Sequence, residues 1–310
     1  MKKWLIGLVM VLVLAIVGVY IFIPAVVKVQ KVVIVPANDK GVAPLLHDAA
    51  TLARWWGDKT DKAADTFYFN GTQYYVNKPL LTGCSLTAVQ GSDTLTMQLH
   101  SVALSSDSAQ VIWGTSLPAT NNPFTRIKNY RKGLQLKKDM EAILQRLQSF
   151  AADMRNVYGI HVQHAIVQDT LLLATEYEGT GEPSNALVYT MIDKATAYLT
   201  AHGAKITNPP LFSKITQDSI HYKTMVALPI DKEIPAAPNF FIRRMFAGNI
   251  LITEVKGGPA TVAKAFALLE NYRLLNTMTS PAKPFETLVT NRLTESDTSK
   301  WVTKIYYPVF

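Results

Sequence analysis

The chain has 310 residues and a formal net charge of +8, a length that exceeds one ordinary core and suits two domains. Four lysines and no acidic residue lie in the first 31 positions, so the rest is only mildly basic and lacks the Lys/Arg runs that nucleic acid would need. Cys84 is the only cysteine, which excludes an intrachain disulfide and a thiolate metal cage.

An uncharged run covers residues 4–23, WLIGLVMVLVLAIVGVYIFI. At about 1.5 Å per residue it measures about 30 Å, the thickness of a hydrocarbon core. We therefore predict a transmembrane anchor at residues 1–26 and a single-pass membrane protein, with the membrane as partner through residues 4–23. The positive-inside tendency places the N-terminus in the cytoplasm and the body outside it. A cleaved signal peptide and a buried core helix are the alternatives, although a signal peptide has a shorter run that ends in small residues.

Residues 27–157 are predicted to form a first module. The stretch 27–35 alternates β-branched residues with Lys and Gln, which indicates a strand. Two short helical stretches follow, and residues 65–116 then read as a meander of strands separated by turn residues. An apolar stripe at three- and four-residue steps from Leu136 to Val157 predicts a long closing helix.

This order, with VQKVVIVPA at residues 29–37 and the Trp55–Trp56 pair, resembles the SRPBCC superfamily (START-like or polyketide-cyclase-like). The resemblance implies a helix-grip fold in which the sheet wraps around the last helix. It also implies a cavity for lipids, hormones or polyketides, with no shared catalytic residues to carry over. Trp55 and Trp56 are candidate ligand-binding residues at the cavity mouth, and plain core packing is their alternative role.

An internal repeat marks residues 158–310 as a second module. Residues 173–179, LATEYEG, match residues 251–257, LITEVKG. Residues 222–230 match residues 301–309 at nearly the same offset. Each copy reads strand, helix, strand, strand, and two copies suggest a domain with pseudo-two-fold symmetry. The fold class expected for the whole chain is therefore α+β: one transmembrane helix, a helix-grip module and a duplicated β-α-β-β domain.

The second module, with FETLV at residues 285–289 and KWVTKIYYPV at residues 300–309, resembles the GyrI-like small-molecule-binding family. That family includes effector-binding domains of AraC- and MerR-type regulators. The resemblance implies a ligand groove along the pseudo-dyad, with an acidic residue on the strand after the second helix, the position that Glu286 holds. Regulators of this kind carry a DNA-binding helix-turn-helix, whereas this chain places a predicted anchor and another module there.

Glu286 is the leading candidate for ligand binding. Strand alternation puts it on the face of Leu288 and opposite Phe285 and Thr287, so it lies in a cleft or at a solvated edge. The other candidates in this groove are the repeat-related acids and the terminal aromatics: Glu254, Glu176, Trp301 and Tyr306.

The function expected from these features is non-catalytic binding of an amphipathic or cationic small molecule by a membrane-anchored protein. No cofactor and no metal site are expected; His161 and His164 face opposite ways on a strand and cannot easily share an ion. One alternative is a hydrolase or cyclase that acts on a small cyclic compound through a groove carboxylate. Another is a structural protein whose grooves are filled by side chains.

Overall fold

A computed structural model describes residues 2–57, 60–61, 65–118, 120–168, 170–216, 218 and 220–310. The fold is α+β and divides into two compact units, Met1–Val157 and Tyr158–Phe310. Among these described residues, each unit contains one antiparallel sheet, of seven strands in the first unit and eight in the second.

The helices are α1 (Lys2–Phe22), α2 (Asp39–Val42), α3 (Ala49–Leu52), α4 (Pro123–Ala151), α5 (Met154–Tyr158), α6 (Asn185–Ala201) and α7 (Pro259–Leu275). The strands of the first sheet are β1 (Val27–Val35), β2 (Thr60–Asp61), β3 (Thr66–Phe69), β4 (Thr72–Leu80), β5 (Gly83–Gln90), β6 (Asp93–Ala103) and β7 (Ala109–Leu117). Those of the second are β8 (Gln163–Ile166), β9 (Leu171–Thr180), β10 (Leu211–Thr216), β11 (His221–Pro229), β12 (Phe241–Arg244), β13 (Asn249–Lys256), β14 (Phe285–Leu288) and β15 (Val302–Val309).

The predicted transmembrane anchor at residues 4–23 is wrong. Within the described part of the chain, no helix combines the length and the apolar character needed to cross a membrane. The last turn of α1 instead meets polar groups of the protein: the Tyr20 hydroxyl donates to the Asn121 carbonyl, and the Arg126 guanidinium lies 4.7 Å from the Tyr20 ring centre.

The first sheet has the strand order β1-β7-β6-β5-β4-β3-β2, and α4 packs against β1. The helix begins where the Asn122 side chain accepts hydrogen bonds from the backbone of Phe124 and Thr125, with Pro123 at the first helical position. Its buried stripe runs from Leu136 through Met140 to Leu147. The first half of α4 is largely exposed and polar, which is why the apolar pattern alone places the start of the helix too late.

Large aromatic side chains fill the core of the first unit. Trp56, Tyr74 and Trp113 are fully buried, with ring centres 5.2–5.8 Å apart. In the described residues, the indole N–H groups of Trp56 and Trp113 are buried without a hydrogen-bond partner. Burial raises the pKa of the Tyr74 hydroxyl, and the nearby Asp139 carboxylate raises it further. This core is therefore held together by the packing of aromatic rings more than by hydrogen bonds between them.

Gly83 sits where β5 passes close to β6, so its substitution is a test of that packing. A Cβ at this position would stand 2.0 Å from the Leu99 carbonyl oxygen. Gly83→Ala is expected to destabilise the protein by about 1–3 kcal/mol, the usual cost of overpacking. Gly114→Ala is the matched control, because its Cβ would meet neighbours at 3.8 Å, an ordinary contact. Urea denaturation that found equal losses for the two variants would contradict this assignment.

The second unit contains two copies of strand, helix, strand, strand, the order that the repeat predicts. The first copy is β9-α6-β10-β11 and the second is β13-α7-β14-β15. In the sheet, whose order is β12-β9-β11-β10-β14-β15-β13-β8, the copies meet where β10 pairs with β14. The second strand of each copy therefore lies at the pseudo-two-fold axis.

The two faces of the second sheet have different surroundings. On one, which we call the helix face, Leu173, Leu228 and Leu288 pack with Val188 and Ile192 of α6. The opposite face, the open face, has a smaller cluster made of residues from strands and the loop after β12: Leu172, Ala174, Leu211 and Ala227, with Met225, Phe241, Met245 and Phe285 against them. Because side chains alternate along a strand, each strand residue can be assigned to one of these faces.

Candidate functional site

The predicted binding residues of the second unit are divided between the two faces. Glu286 lies on the helix face, since it alternates with Phe285 of the open-face cluster. Glu176 lies on the open face, two residues after Ala174 of the same cluster. The sequence-based expectation of one groove that holds all five residues does not describe this geometry.

Glu286 is buried, with 7% of its surface exposed, and it has a basic partner in the protein. The Arg292 Nη2 lies 3.2 Å from the Glu286 Oε2 and donates to the Thr303 hydroxyl at 2.9 Å. Burial raises the pKa of Glu286, and the positive charges of Arg292 and Lys214 offset part of that rise. The carboxylate is therefore compensated by a side chain of the protein itself.

Trp301 belongs to the same buried network. The Arg292 guanidinium lies 5.2 Å from the Trp301 ring centre, and the indole N–H donates to the Glu295 carbonyl at 2.8 Å. The Tyr189 hydroxyl of α6 accepts from the Arg292 backbone N–H at 2.9 Å. These bonds fasten the loop between β14 and β15 to the sheet and to α6. Arg292 was not predicted, because a single Arg in a loop carries no spacing signal that would link it to a strand carboxylate.

A cavity of about 340 Å³ borders Glu286 on the helix face. Phe212 of β10, Phe266 of α7 and Pro284 line it together with two lysines, Lys214 and Lys283. Lys214 is paired with Glu182 at 2.7 Å. Two ammonium groups near one paired carboxylate make this helix-face cavity a poor place for a cationic ligand.

A second cavity, of about 330 Å³, opens on the other side of the sheet, and we call it the open-face cleft. The Phe285 and Tyr306 rings stack in its wall with centres 5.1 Å apart and planes 4° apart. Apolar side chains also line it: Ile166, Val167, Leu211, Met245, Ile250, Ile252 and Val289. Its polar lining residues are Gln168, Asn208, Thr287 and Lys304.

The other two predicted acids also have basic partners. Glu254 and Lys304 are direct neighbours across β13 and β15, with Oε2 and Nζ 3.6 Å apart. Glu176 lies 2.6 Å from the Lys223 ammonium of β11. All three candidate carboxylates of this unit are therefore ion-paired within the protein, and the open-face cleft offers no uncompensated negative charge from them.

Trp55 and Trp56, the candidates of the first unit, lie in its core. Trp55 is 4% exposed, and its indole N–H donates to the Leu45 carbonyl at 2.9 Å. Trp56 is fully buried against Phe67 and Trp113. Their surroundings are those of the core-packing alternative, and neither side chain has surface to offer a ligand in this structure.

No family model and no curated protein matches the chain. Similar solved structures include the EcmrR C-terminal domain, at TM-score 0.42 and 12% identity, which covers 49% of this chain and 98% of that one. SAV2435 bound to tetraphenylphosphonium has a TM-score of 0.35 at 13% identity over 49% and 94% of the two chains. A hydrolase from Listeria innocua also has 0.35, at 9% identity over 52% and 98%.

The first two of these neighbours have GyrI-like effector-binding folds, the type that the resemblance of residues 158–310 predicts. The SRPBCC resemblance of residues 27–157 is not confirmed. At scores and identities this low, the likenesses carry no statement about the ligand or the chemistry of this chain.

Proposed function

We propose that the second unit binds a small planar, largely apolar molecule in the open-face cleft. The observation that carries the proposal is the stacked Phe285–Tyr306 pair, which gives the cleft an aromatic wall. Small-molecule sites are concave and mostly apolar, with a few polar groups that fix orientation, and about 300 Å³ is within their usual range. The apolar lining and the cleft's volume agree with this description.

The ion pairs of Glu176, Glu254 and Glu286 bear on which ligand charge the cleft prefers. A free carboxylate in the cleft would favour a cationic ligand, but Glu254 and Glu176 are held by Lys304 and Lys223, and Glu286 lies on the other face with Arg292. The Lys304 side chain is 41% exposed and lines the cleft, so it can donate a hydrogen bond to an acceptor on the ligand. We therefore propose an uncharged or acceptor-bearing ring system in place of the cation expected from the sequence.

Binding without catalysis is the function that this geometry favours. The hydrolase or cyclase alternative needs a carboxylate poised on a substrate position, whereas Glu286 is bonded to Arg292, beside Thr303. The open-face cleft contributes one ammonium and neutral polar groups, a set suited to orienting a ligand.

Tyr306→Ala is the test of the cleft. With N-phenyl-1-naphthylamine, a neutral fluorescent dye, the full chain is expected to bind saturably and the variant about tenfold more weakly. The reason is that a stacked aromatic contact contributes about 0.5–1.5 kcal/mol beyond its buried area. Fluorescence titration measures both affinities, and circular dichroism verifies that the variant is folded.

Tyr177→Ala provides the matched control, because Tyr177 is 46% exposed on the same sheet and lies outside the cleft lining. Its affinity for the dye should equal that of the parent protein. A titration with tetraphenylphosphonium separates the two charge hypotheses. Tighter binding of this cation than of the neutral dye, lost in Glu286→Gln and kept in Tyr306→Ala, would overturn the proposal in favour of the helix-face cavity.

A further inference from the structure

A third cavity, of about 350 Å³, lies in the first unit between the β5–β6 hairpin and α4. We call it the hairpin–helix cavity. Ala88, Leu95 and Leu136 form an apolar wall, with Ala88 and Leu136 themselves buried. Three basic side chains from consecutive turns of α4 line it as well: Lys128, Arg131 and Lys132. An apolar wall beside clustered positive charge is the arrangement that an amphipathic anion requires.

The positive charge of this cavity is only partly neutralised. Lys132 is held by Asp93, with Nζ and Oδ2 2.9 Å apart. Lys128 acts on Asp93 from farther away, and both lysines lower the pKa of that carboxyl group. For Lys128 and Arg131, no described carboxylate lies within ion-pair distance. These two exposed side chains are therefore available to an anionic group at the rim.

The polar end of the cavity restricts where the charged group of a ligand can lie. Asp139 is 5% exposed, and its Oδ1 accepts hydrogen bonds from the side-chain amides of Asn70 and Gln135, both at 2.9 Å. A buried carboxylate repels an anion and offers no apolar contact, so a ligand's charged group is excluded from this end. The anion must then lie at Lys128 and Arg131, with a short apolar part along Ala88, Leu95 and Leu136.

We propose that the hairpin–helix cavity binds a short amphipathic carboxylate, with its charged group between Lys128 and Arg131. This site is separate from the open-face cleft, uses another unit and a different ligand charge, and does not depend on the proposed function. Arg supplies a planar pair of donors that matches a carboxylate, and Lys adds a point charge.

The experiment uses three ligands with the same eight-carbon tail on the full chain: octanoate, 1-octanol and octylammonium. Isothermal titration calorimetry should rank octanoate first and octylammonium last, since only the head-group charge differs. A rise from low to about 1 M salt should weaken octanoate several-fold, because the basic groups are exposed and screened. With ¹³C-carboxyl octanoate, the bound carboxyl resonance should shift and saturate.

The decisive variant is Lys128→Ala/Arg131→Ala, with Lys137→Ala/Lys138→Ala as a control that removes the same charge from exposed positions of α4 outside the cavity. The first should bind octanoate at least about tenfold more weakly, which corresponds to about 1.4 kcal/mol, and the control should match the parent. Equal weakening in both double variants, or no preference for octanoate over octanol, would overturn the proposal. Competition by inorganic phosphate at the same concentration as octanoate would do so too, because the apolar wall would then have no role.

Discussion

Replacement of Arg292 by methionine is expected to destabilise the second unit by about 3–5 kcal/mol, the cost of leaving one charge of a buried pair without its partner. Both side chains are almost fully buried, with 10% of the Arg292 side chain and 9% of the Glu286 side chain exposed. The variant also removes the hydrogen bond to Thr303 and the contact with Trp301, so the loop between β14 and β15 loses its fastening. Urea denaturation of the full chain measures the change in unfolding free energy.

The pH dependence of stability tests whether the unpaired Glu286 carboxylate causes the loss of unfolding free energy in Arg292→Met. Burial raises its folded-state pKa, so the folded protein holds this proton more tightly than the unfolded chain does. Stability then falls as the pH rises from the unfolded pKa through the folded pKa, and it is recovered as the pH falls. Arg292→Met removes the positive charge that offsets this rise in the pKa of Glu286. The difference in unfolding free energy between the parent and the variant should therefore become smaller as the pH is lowered from about 7.5 to about 5.

A double variant separates loss of the partner from loss of packing. In Glu286→Leu/Arg292→Met both charges are absent, and replacing a buried ion pair with apolar side chains is often neutral or stabilising. Most of the deficit of the single variant should therefore disappear. If the double variant is as unstable as Arg292→Met at both pH values, packing by the Arg292 stem is what matters and the electrostatic account fails.

Trp56→Ala is expected to cost about 3–5 kcal/mol, the range for deleting a large aromatic ring from a core. Trp56 is fully buried and contacts Phe67, Tyr74 and Trp113, so the ring's volume would be left empty in the middle of the aromatic cluster. The measurement is urea denaturation followed by near-ultraviolet circular dichroism, which reports on this cluster directly.

Phenylalanine at the same position gives the sharper comparison. The Trp56 indole N–H is buried with no hydrogen-bond partner among the described residues, so Trp56→Phe keeps an aromatic ring and removes an unsatisfied donor. Trp55→Phe is the control, because it removes an indole that does donate, to the Leu45 carbonyl, and leaves that acceptor unpaired. We expect Trp56→Phe to cost less than Trp55→Phe. The reverse order would show that the Trp56 N–H contributes to stability after all.

Much of the second unit could be predicted from patterns in the sequence. The repeated segments mark equivalent strands and helices, and a proline, Pro259, stands at the first position of α7. Strand alternation also separated Glu286 from Phe285 correctly. These features depend on residues close together in the chain, where periodicity and capping act.

The binding surface could not be predicted in the same way. Alternation along a strand shows that two residues lie on opposite faces of the sheet, but it does not show which face the helices cover. The position of the helices determines that Tyr306 lines a cleft while Glu286 pairs with Arg292. That pair depends on how the loop after β14 folds back over the sheet. The predicted anchor fails for a different reason. An apolar run in the sequence predicts a membrane span only if the helix it forms is long and apolar enough, and none of the described helices is.

The pairing of β10 with β14 has a mechanical consequence. The strand pairing between the two copies consists of Leu211 with Thr287 and Phe212 with Glu286, the shortest ladder in the described part of this sheet. One further backbone hydrogen bond joins the Leu288 N–H to the Pro210 carbonyl. Fewer backbone hydrogen bonds hold the strands together here than inside either copy, so the sheet itself resists a twist least along this line. The open-face cleft lies across it, with Leu211 on one side and Thr287 and Tyr306 on the other. A small twist of one copy against the other therefore widens or narrows the cleft while both copies keep their own strand pairing intact.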